Sequence, residues 1–175
     1  MIFTFRFISD EEDSFVLDVN INHDQTFLQL HQAIQKALDY DSQQMASFFN
    51  SNDDWEKLDE ITTMDMGSDT PVKIMSETKV EDFYSEKNQR ILYVFDFFAE
   101  RLLFGSVTRT IDAEPPIELP SVSRIEGKIP EQLSSVDNFN DDDLLASFDF
   151  SDELKDDFND NLESLDDINL DETDF

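Results

Sequence analysis

The sequence contains no cysteine, only three glycines and no long apolar run. Without cysteine there are no disulfides, thiolate metal ligands or cysteine nucleophiles, which suits a reducing compartment. Three glycines are too few for glycine-rich loops that cradle phosphates. No stretch approaches the roughly 18 to 20 apolar residues that span a bilayer, and the N-terminus lacks the cleavage pattern of a signal peptide. We therefore expect a soluble, cytoplasmic protein.

Basic residues are also scarce, because 12 Lys and Arg stand against 42 Asp and Glu, for a net charge of −30. Such a surface repels phosphate backbones and anionic lipid heads over roughly 8 to 10 Å in physiological salt. We expect no direct binding to nucleic acid or membranes. Acid also keeps a protein soluble, but it attracts basic molecules as well. The expected partner is a basic protein or protein complex.

The acidic residues are unevenly distributed along the 175-residue chain. Residues 137–175 hold 16 acidic residues and one basic residue, and therefore half of the net charge. A chain of this length accommodates one ordinary domain and an appendage. We predict a domain at residues 1–132 and an acidic amphipathic tail, helical or disordered, at residues 133–175.

Apolar residues alternate with polar ones in "IFTFRFIS" (2–9) and "SFVLDVNI" (14–21), which predicts an antiparallel hairpin. In "TFLQLHQAIQKALDY" the apolar residues recur at helical spacing, and Thr26 followed by Gln29 forms a capping-box pattern. Residues 89–111, "QRILYVFDFFAERLLFGSVTRTI", predict two apolar strands joined by a tight connection around Ala99 and Glu100. The order of hairpin, helix and further strands favours a two-layer α+β domain with a β-grasp-like fold.

Between the helix and residue 90 the pattern is weaker. The stretches "MASFFNS" and "PVKIMS" each predict a short strand, whereas "NDDWEKLDE" is compatible with a strand or a turn. A single helical turn is predicted in "TKVEDFY".

Three motifs carry a resemblance to a known family. They are Leu30, His31 and Ile34 in the helix, Tyr93, Asp96 and Phe97 in "YVFDFF", and Gly127, Pro130 and Glu131 in "EGKIPEQ". With these motifs the chain resembles the plasmid pRiA ORF-three-like family, which includes insertion-element passenger proteins of TnpR-like type, over residues 1 to about 132. The resemblance implies a compact, β-grasp-like α+β domain and does not imply resolvase chemistry.

The chain departs from the family pattern after the second motif. Where the family continues Gly-Asp-x-Trp-x-His, this sequence has Phe98, Ala99, Arg101 and Leu103, and Gln44 stands near the place of a second family His. We therefore expect any polar or metal-binding site built from those family residues to be absent.

Asp96 is the strongest candidate for a functional residue in the predicted domain, because it interrupts an apolar central strand. Burial of its carboxylate requires a partner, and Arg101 or Arg109 could supply one. A structural ion pair or a bond to a backbone amide is the preferred interpretation; an enzyme using Asp96 and His31 is the rival. His23 fits a turn. We expect no catalytic residue, cofactor or metal.

The tail combines acid with regularly spaced apolar residues. The predicted anchors are Phe148, Phe150, Leu154, Phe158, Leu162 and Leu165, and the carboxylates expected to select a basic partner are Asp152, Asp156, Asp157 and Asp160.

Three interpretations of the tail remain open. It packs on the chain's own domain, it folds into a groove on a basic protein, or its acid mimics nucleic acid and inhibits a DNA- or RNA-binding protein. The aromatic anchors favour the first two. We therefore predict a non-enzymatic protein–protein interaction module.

Overall fold

The computed structural model describes residues 1–65, 67, 72–113 and 118–133. They form a mixed α+β structure in which one α-helix packs on an eight-stranded sheet. The elements in chain order are β1 (Ile2–Ile8), β2 (Val16–Asn22), α1 (Phe27–Leu38), β3 (Ser47–Ser51), β4 (Lys57–Thr62), β5 (Lys73–Ile74), a 3₁₀ helix (Val80–Asp82), β6 (Arg90–Asp96), β7 (Arg101–Ile111) and β8 (Ser121–Glu126).

The strands lie in the order β5-β4-β3-β6-β7-β1-β2-β8. Neighbouring strands are antiparallel except β4 and β5, which are parallel. The predicted hairpin is confirmed, since β1 pairs with β2 in an unbroken register from Ile2 opposite Asn22 to Ile8 opposite Val16. Phe and aliphatic residues from one face of this hairpin are buried in the core.

The predicted helix is confirmed together with its capping box. Thr26 accepts a hydrogen bond from the N–H of Gln29, and the Gln29 side chain accepts one from the Thr26 N–H. The helix ends at Asp39, which adopts a left-handed conformation with φ of 56°. The apolar stripe of the helix, which includes Phe27, Leu30 and Ile34, packs onto the aromatic core of the sheet.

Strands β6 and β7 occupy the middle of the sheet. Residues 91–96 of β6 are all buried, which confirms the prediction of a strand covered on both faces. Gly105 of β7 lies between Ile91 of β6 and Phe7 of β1. A Cβ atom at this position would lie 2.6 Å from Cγ2 of Ile91 and 2.7 Å from the ring of Phe7, so the core has no room for a larger residue.

The segment between α1 and β6 forms the short strands β3 and β5 and the single 3₁₀ turn that were predicted. The ambiguous stretch becomes β4 after a turn at Trp55, where φ is 63°. Strand β8 was not predicted; it is exposed along most of its length and pairs with β2 at the sheet edge. Within the described ranges no helix is both long and apolar enough to cross a bilayer.

Candidate docking site

The predicted binding residues of the tail, from Phe148 to Leu165, lie outside the described residues, as do the four carboxylates assigned to partner selection. Their role and the boundary at residue 132 stay predictions. The described part of the chain provides a separate candidate site, at the turn between β6 and β7.

Asp96 builds this turn. Its Oδ1 accepts hydrogen bonds from the main-chain N–H groups of Phe98, at 3.0 Å, and Ala99, at 3.1 Å. Glu100 completes the reversal with φ of 53°, a conformation that few residues other than glycine adopt. The turn presents Phe98 to solvent, with 94% of its surface exposed. A large apolar side chain is thus displayed at the tip of a turn fixed by hydrogen bonds.

An apolar cleft of about 320 Å³ opens beside this turn. It is lined by Met45, Glu60, Thr62, Met64, Val72, Phe97 and Phe98. Two methionines supply flexible, polarisable walls, which adapt to side chains of different shapes. Among the described residues of the lining Glu60 is the charged one, and its Oε1 accepts a hydrogen bond from Ser47. The cleft can hold an apolar side chain next to a carboxylate.

Arg101 supports the turn from the next strand. Its Nε and Nη2 donate to the two carboxylate oxygens of Glu11 at 2.7 and 2.6 Å. This pairing lowers the pKa of Glu11 and raises the pKa of Arg101. Nη1 of Arg101 lies 3.8 Å from Oδ2 of Asp96, which is buried and has no hydrogen-bond partner among the described residues. The predicted bond from Asp96 to backbone amides is confirmed, and Arg101 rather than Arg109 is the nearby cation.

The third motif packs beside the C-terminal end of α1. Tyr40 donates a hydrogen bond from its hydroxyl to the Pro130 carbonyl at 2.7 Å, and burial raises the pKa of this tyrosine. Asp41 and Gln132 exchange two hydrogen bonds. Gly127 has φ of 81°, and a Cβ atom there would collide with the main chain of Ser14, which explains the glycine in this motif.

His31 is separate from this site. Its Nδ1 lies 2.9 Å from the hydroxyl of Tyr93, and 4% of the residue is exposed. Burial lowers the pKa of His31 to about 4. His23, in the turn before the helix, pairs instead with Glu81. No hydrogen bond in the described part of the chain joins His31 to Asp96, which has its own partners.

A cluster of three or more metal-binding side chains is not found among the residues that the structure describes. The cleft could not be predicted from the sequence, because its lining comes from four separate stretches of the chain. The available signal was Phe98, a large apolar residue placed after the strand ends. In the sequence it reads as a continuation of the apolar strand.

Fold and site together define a small α+β protein with an apolar cleft at a strand turn. The family model described as plasmid pRiA4b ORF-3-like protein matches residues 8–173, and the chain belongs to this family. The resemblance drawn from the three motifs is therefore confirmed.

The fold also occurs in a solved structure. A protein of unknown function from Methanosarcina mazei Go1, MM3350, superposes with a TM-score of 0.59 at 19% identity, over 99% of this chain and 93% of that chain. At this identity the likeness shows the fold alone. No curated protein matches the sequence.

Proposed function

We propose that this protein is a non-enzymatic interaction module that engages a basic protein partner. Two parts of the chain contribute: the apolar cleft at the β6–β7 turn, and the acidic C-terminal segment at residues 133–175 with its Phe and Leu anchors. The observation that carries the proposal is the exposed Phe98, whose main-chain N–H is held by Asp96. A turn whose main chain is already fixed loses little backbone freedom on binding, so burial of the Phe98 side chain favours association.

The cleft supports this role by its shape and its chemistry. Apolar surfaces rimmed by polar groups mark protein interaction sites on soluble proteins. Met45 and Met64 are exposed along with Phe98, so that a partner side chain can reach them directly. Glu60 offers a carboxylate to a cation on that partner. We infer that a long apolar side chain next to a Lys or Arg occupies the cleft.

Electrostatics support a basic partner over an acidic one. The net charge of −30 raises the rate of encounter with cationic surfaces, and salt weakens this effect. Apolar contacts in the cleft are far less sensitive to salt. Capture that persists in moderate salt therefore supports docking, whereas capture lost on adding salt favours mimicry of nucleic acid by acid alone.

The test compares protein capture by full-length variants from an extract of the source cell. We expect Phe98→Ser, and separately a chain with Ser at Phe150, Leu154 and Phe158, to lose a basic protein that the unaltered chain retains in moderate salt. Leu58→Ser is the matched control, because Leu58 is exposed but does not line the cleft.

The outcomes separate the two contributing parts. Loss of capture with the tail variant alone assigns binding to the tail, and loss with Phe98→Ser alone assigns it to the cleft. If both variants retain the same proteins as the unaltered chain, the proposal is wrong. Equal loss in Leu58→Ser would mean that any exposed apolar residue matters, which also contradicts a defined site.

We further infer a β-grasp-like relationship for the domain and a cytoplasmic location. The first rests on the placement of α1 directly after the β1–β2 hairpin, across one face of a mixed sheet. The second rests on the absence of cysteine from the sequence, which suits a reducing compartment. Fluorescence imaging of a tagged chain in the source cell tests the location.

A further inference from the structure

The two edges of the sheet differ in length. At one edge lies β5, with two residues, and at the other lies β8, with six. An edge strand presents unpaired N–H and C=O groups that can pair with another strand, and very short edge strands avoid this. Strand β8 is therefore the edge open to pairing.

The hydrogen-bond pattern shows which groups of β8 point outward. In antiparallel sheets alternate residues of a strand bond to opposite neighbours. The N–H of His23 donates to the carbonyl of Met1 at 2.9 Å, so odd-numbered residues of β2 bond to β1 and even-numbered residues bond to β8. Asp18 of β2 is opposite Arg124, and the next residue, Ile125, thus directs its main-chain groups away from β2.

Strand β8 pairs regularly with β2 around Ile125. The irregularity in the pairing of β8 with β2 lies on the N-terminal side of Arg124, between Asp18 and Val19 of β2. Residues 124–126 keep an unbroken register with β2. No backbone hydrogen bond outside the β2 pairing involves Ile125 within the portion of the chain that the structure describes.

The side chains around this edge form two faces. Towards the helix, Val122 and Ile125, which are 41% and 42% exposed, line a groove of about 330 Å³ together with Ala33 and Ala37 of α1. On the opposite face of the sheet, Arg124 and Glu126 are exposed and form an ion pair of 2.6 Å. Strand β8 thus presents apolar side chains to the groove, which Lys36 of α1 and Pro120 also line, and both of its charges to the opposite face.

We propose that β8 pairs with β8 of a second copy of this chain, in antiparallel orientation, about a two-fold axis at Ile125. In this register Ile125 lies opposite Ile125 of the second copy, and its outward N–H and C=O groups are satisfied. Arg124 lies opposite Glu126 of the second copy, and the symmetry makes this contact twice. The strand is thus complementary to itself in charge and in apolar surface, as a two-fold interface requires.

Charge complementarity selects a second copy over an unrelated segment. A residue of each sign stands on either side of the axis, so that each charge meets its opposite only when the strand pairs with itself in this register. The inference does not depend on the proposed function, because neither the cleft nor the C-terminal segment takes part. Cleft and β8 lie towards opposite edges of the sheet.

The test is a charge-reversal experiment on the full chain by sedimentation equilibrium, over a wide range of concentration in physiological salt. We expect the unaltered chain to form dimers. Arg124→Glu and Glu126→Arg should each weaken self-association about tenfold, because two favourable cross-strand pairs become two like-charge pairs. Mixing the two variants should restore dimers, since each charge then faces its opposite.

Matched controls separate local pairing from net charge. Lys87→Glu and Glu86→Lys make the same charge changes in an exposed turn away from β8, and we expect both variants to dimerise like the unaltered chain. The double variant R124E/E126R should dimerise as well, and it keeps the intrachain ion pair if a single reversal disturbs folding.

Three results overturn the proposal. They are an unaltered chain that stays monomeric at every concentration, dimers that are indifferent to both single reversals, and single variants that do not associate when mixed. In the first case the groove belongs to another occupant, and in the second the dimer uses another surface.

Discussion

His31 makes the stability of this domain depend on pH in a predictable direction. It lies on the core side of α1 with its Nδ1 at 2.9 Å from the hydroxyl of Tyr93, a residue of the central strand β6. Burial lowers the pKa of His31 to about 4, whereas an unfolded chain titrates at about 6.5. The folded domain therefore keeps this imidazole neutral at pH values where the unfolded chain already binds a proton.

The sign and size of the effect follow from these two values. Between about pH 6.5 and pH 4 the unfolded state binds more protons, so the free energy of unfolding falls as the pH falls. The full effect is about 3 kcal/mol below pH 4, and about 2 kcal/mol is lost between pH 7.5 and pH 5. Above about pH 6.5 His31 is neutral in both the folded and the unfolded chain, so its contribution to the free energy of unfolding no longer changes with pH.

The measurement is urea unfolding of the full chain at several pH values from 7.5 to 5, with intrinsic fluorescence as the signal. The many carboxylates add their own pH dependence, so the useful quantity is a difference between variants. His31→Asn removes the titration, and its side-chain amide can replace Nδ1 as the hydrogen-bond partner of the Tyr93 hydroxyl. We expect this variant to lose about 2 kcal/mol less than the unaltered chain over this range.

His23→Asn is the control, because His23 lies in a turn at the surface and pairs with Glu81. This variant should keep the loss that His31 causes. If the unaltered chain and His31→Asn lose stability in parallel from pH 7.5 to pH 5, His31 is not neutral in the fold, and the reasoning from burial is refuted.

Three further substitutions test the fold. Asp96→Ala removes an acceptor that holds two main-chain N–H groups of the β6–β7 turn, and we expect chemical unfolding to show a loss of about 2 kcal/mol; unchanged stability would contradict its structural role. Gly105→Ala places a Cβ atom against Ile91 and should cost about 1 to 3 kcal/mol, measured as a lower urea midpoint; no change would mean that the core yields at this point. Thr26→Ala removes the acceptor for the Gln29 N–H and should cost about 1 kcal/mol in thermal unfolding, with Thr26→Ser as the tolerated control.

The elements that the sequence pattern predicts well are those whose periodicity comes from burial. In β1 and β2 one face packs into the core and the other carries Arg6 and Asp18, which form an ion pair of 2.7 Å, so apolar and polar residues alternate over residues 3–7 and 17–21. The helix has a continuous apolar stripe and a local cap. Both signals lie within a single stretch of sequence.

Strand β8 and the cleft could not be predicted in this way, because both depend on contacts between distant parts of the chain. The residues of β8 are mostly exposed, so they carry little of the period-two signal that identifies a half-buried strand. Its pairing with β2 joins segments about 100 residues apart. The cleft likewise forms only when Met45, Val72 and the β6–β7 turn meet in the folded sheet.

Asp96 connects the family pattern to the proposed binding role. Its carboxylate bonds the main-chain N–H groups of Phe98 and Ala99, so this contact needs the aspartate but neither of those two side chains. The family pattern continues Gly-Asp-x-Trp-x-His, and this chain continues with Phe98 and Ala99. Because Phe98 is 94% exposed, its apolar side chain is available to a partner, as the proposed binding role requires.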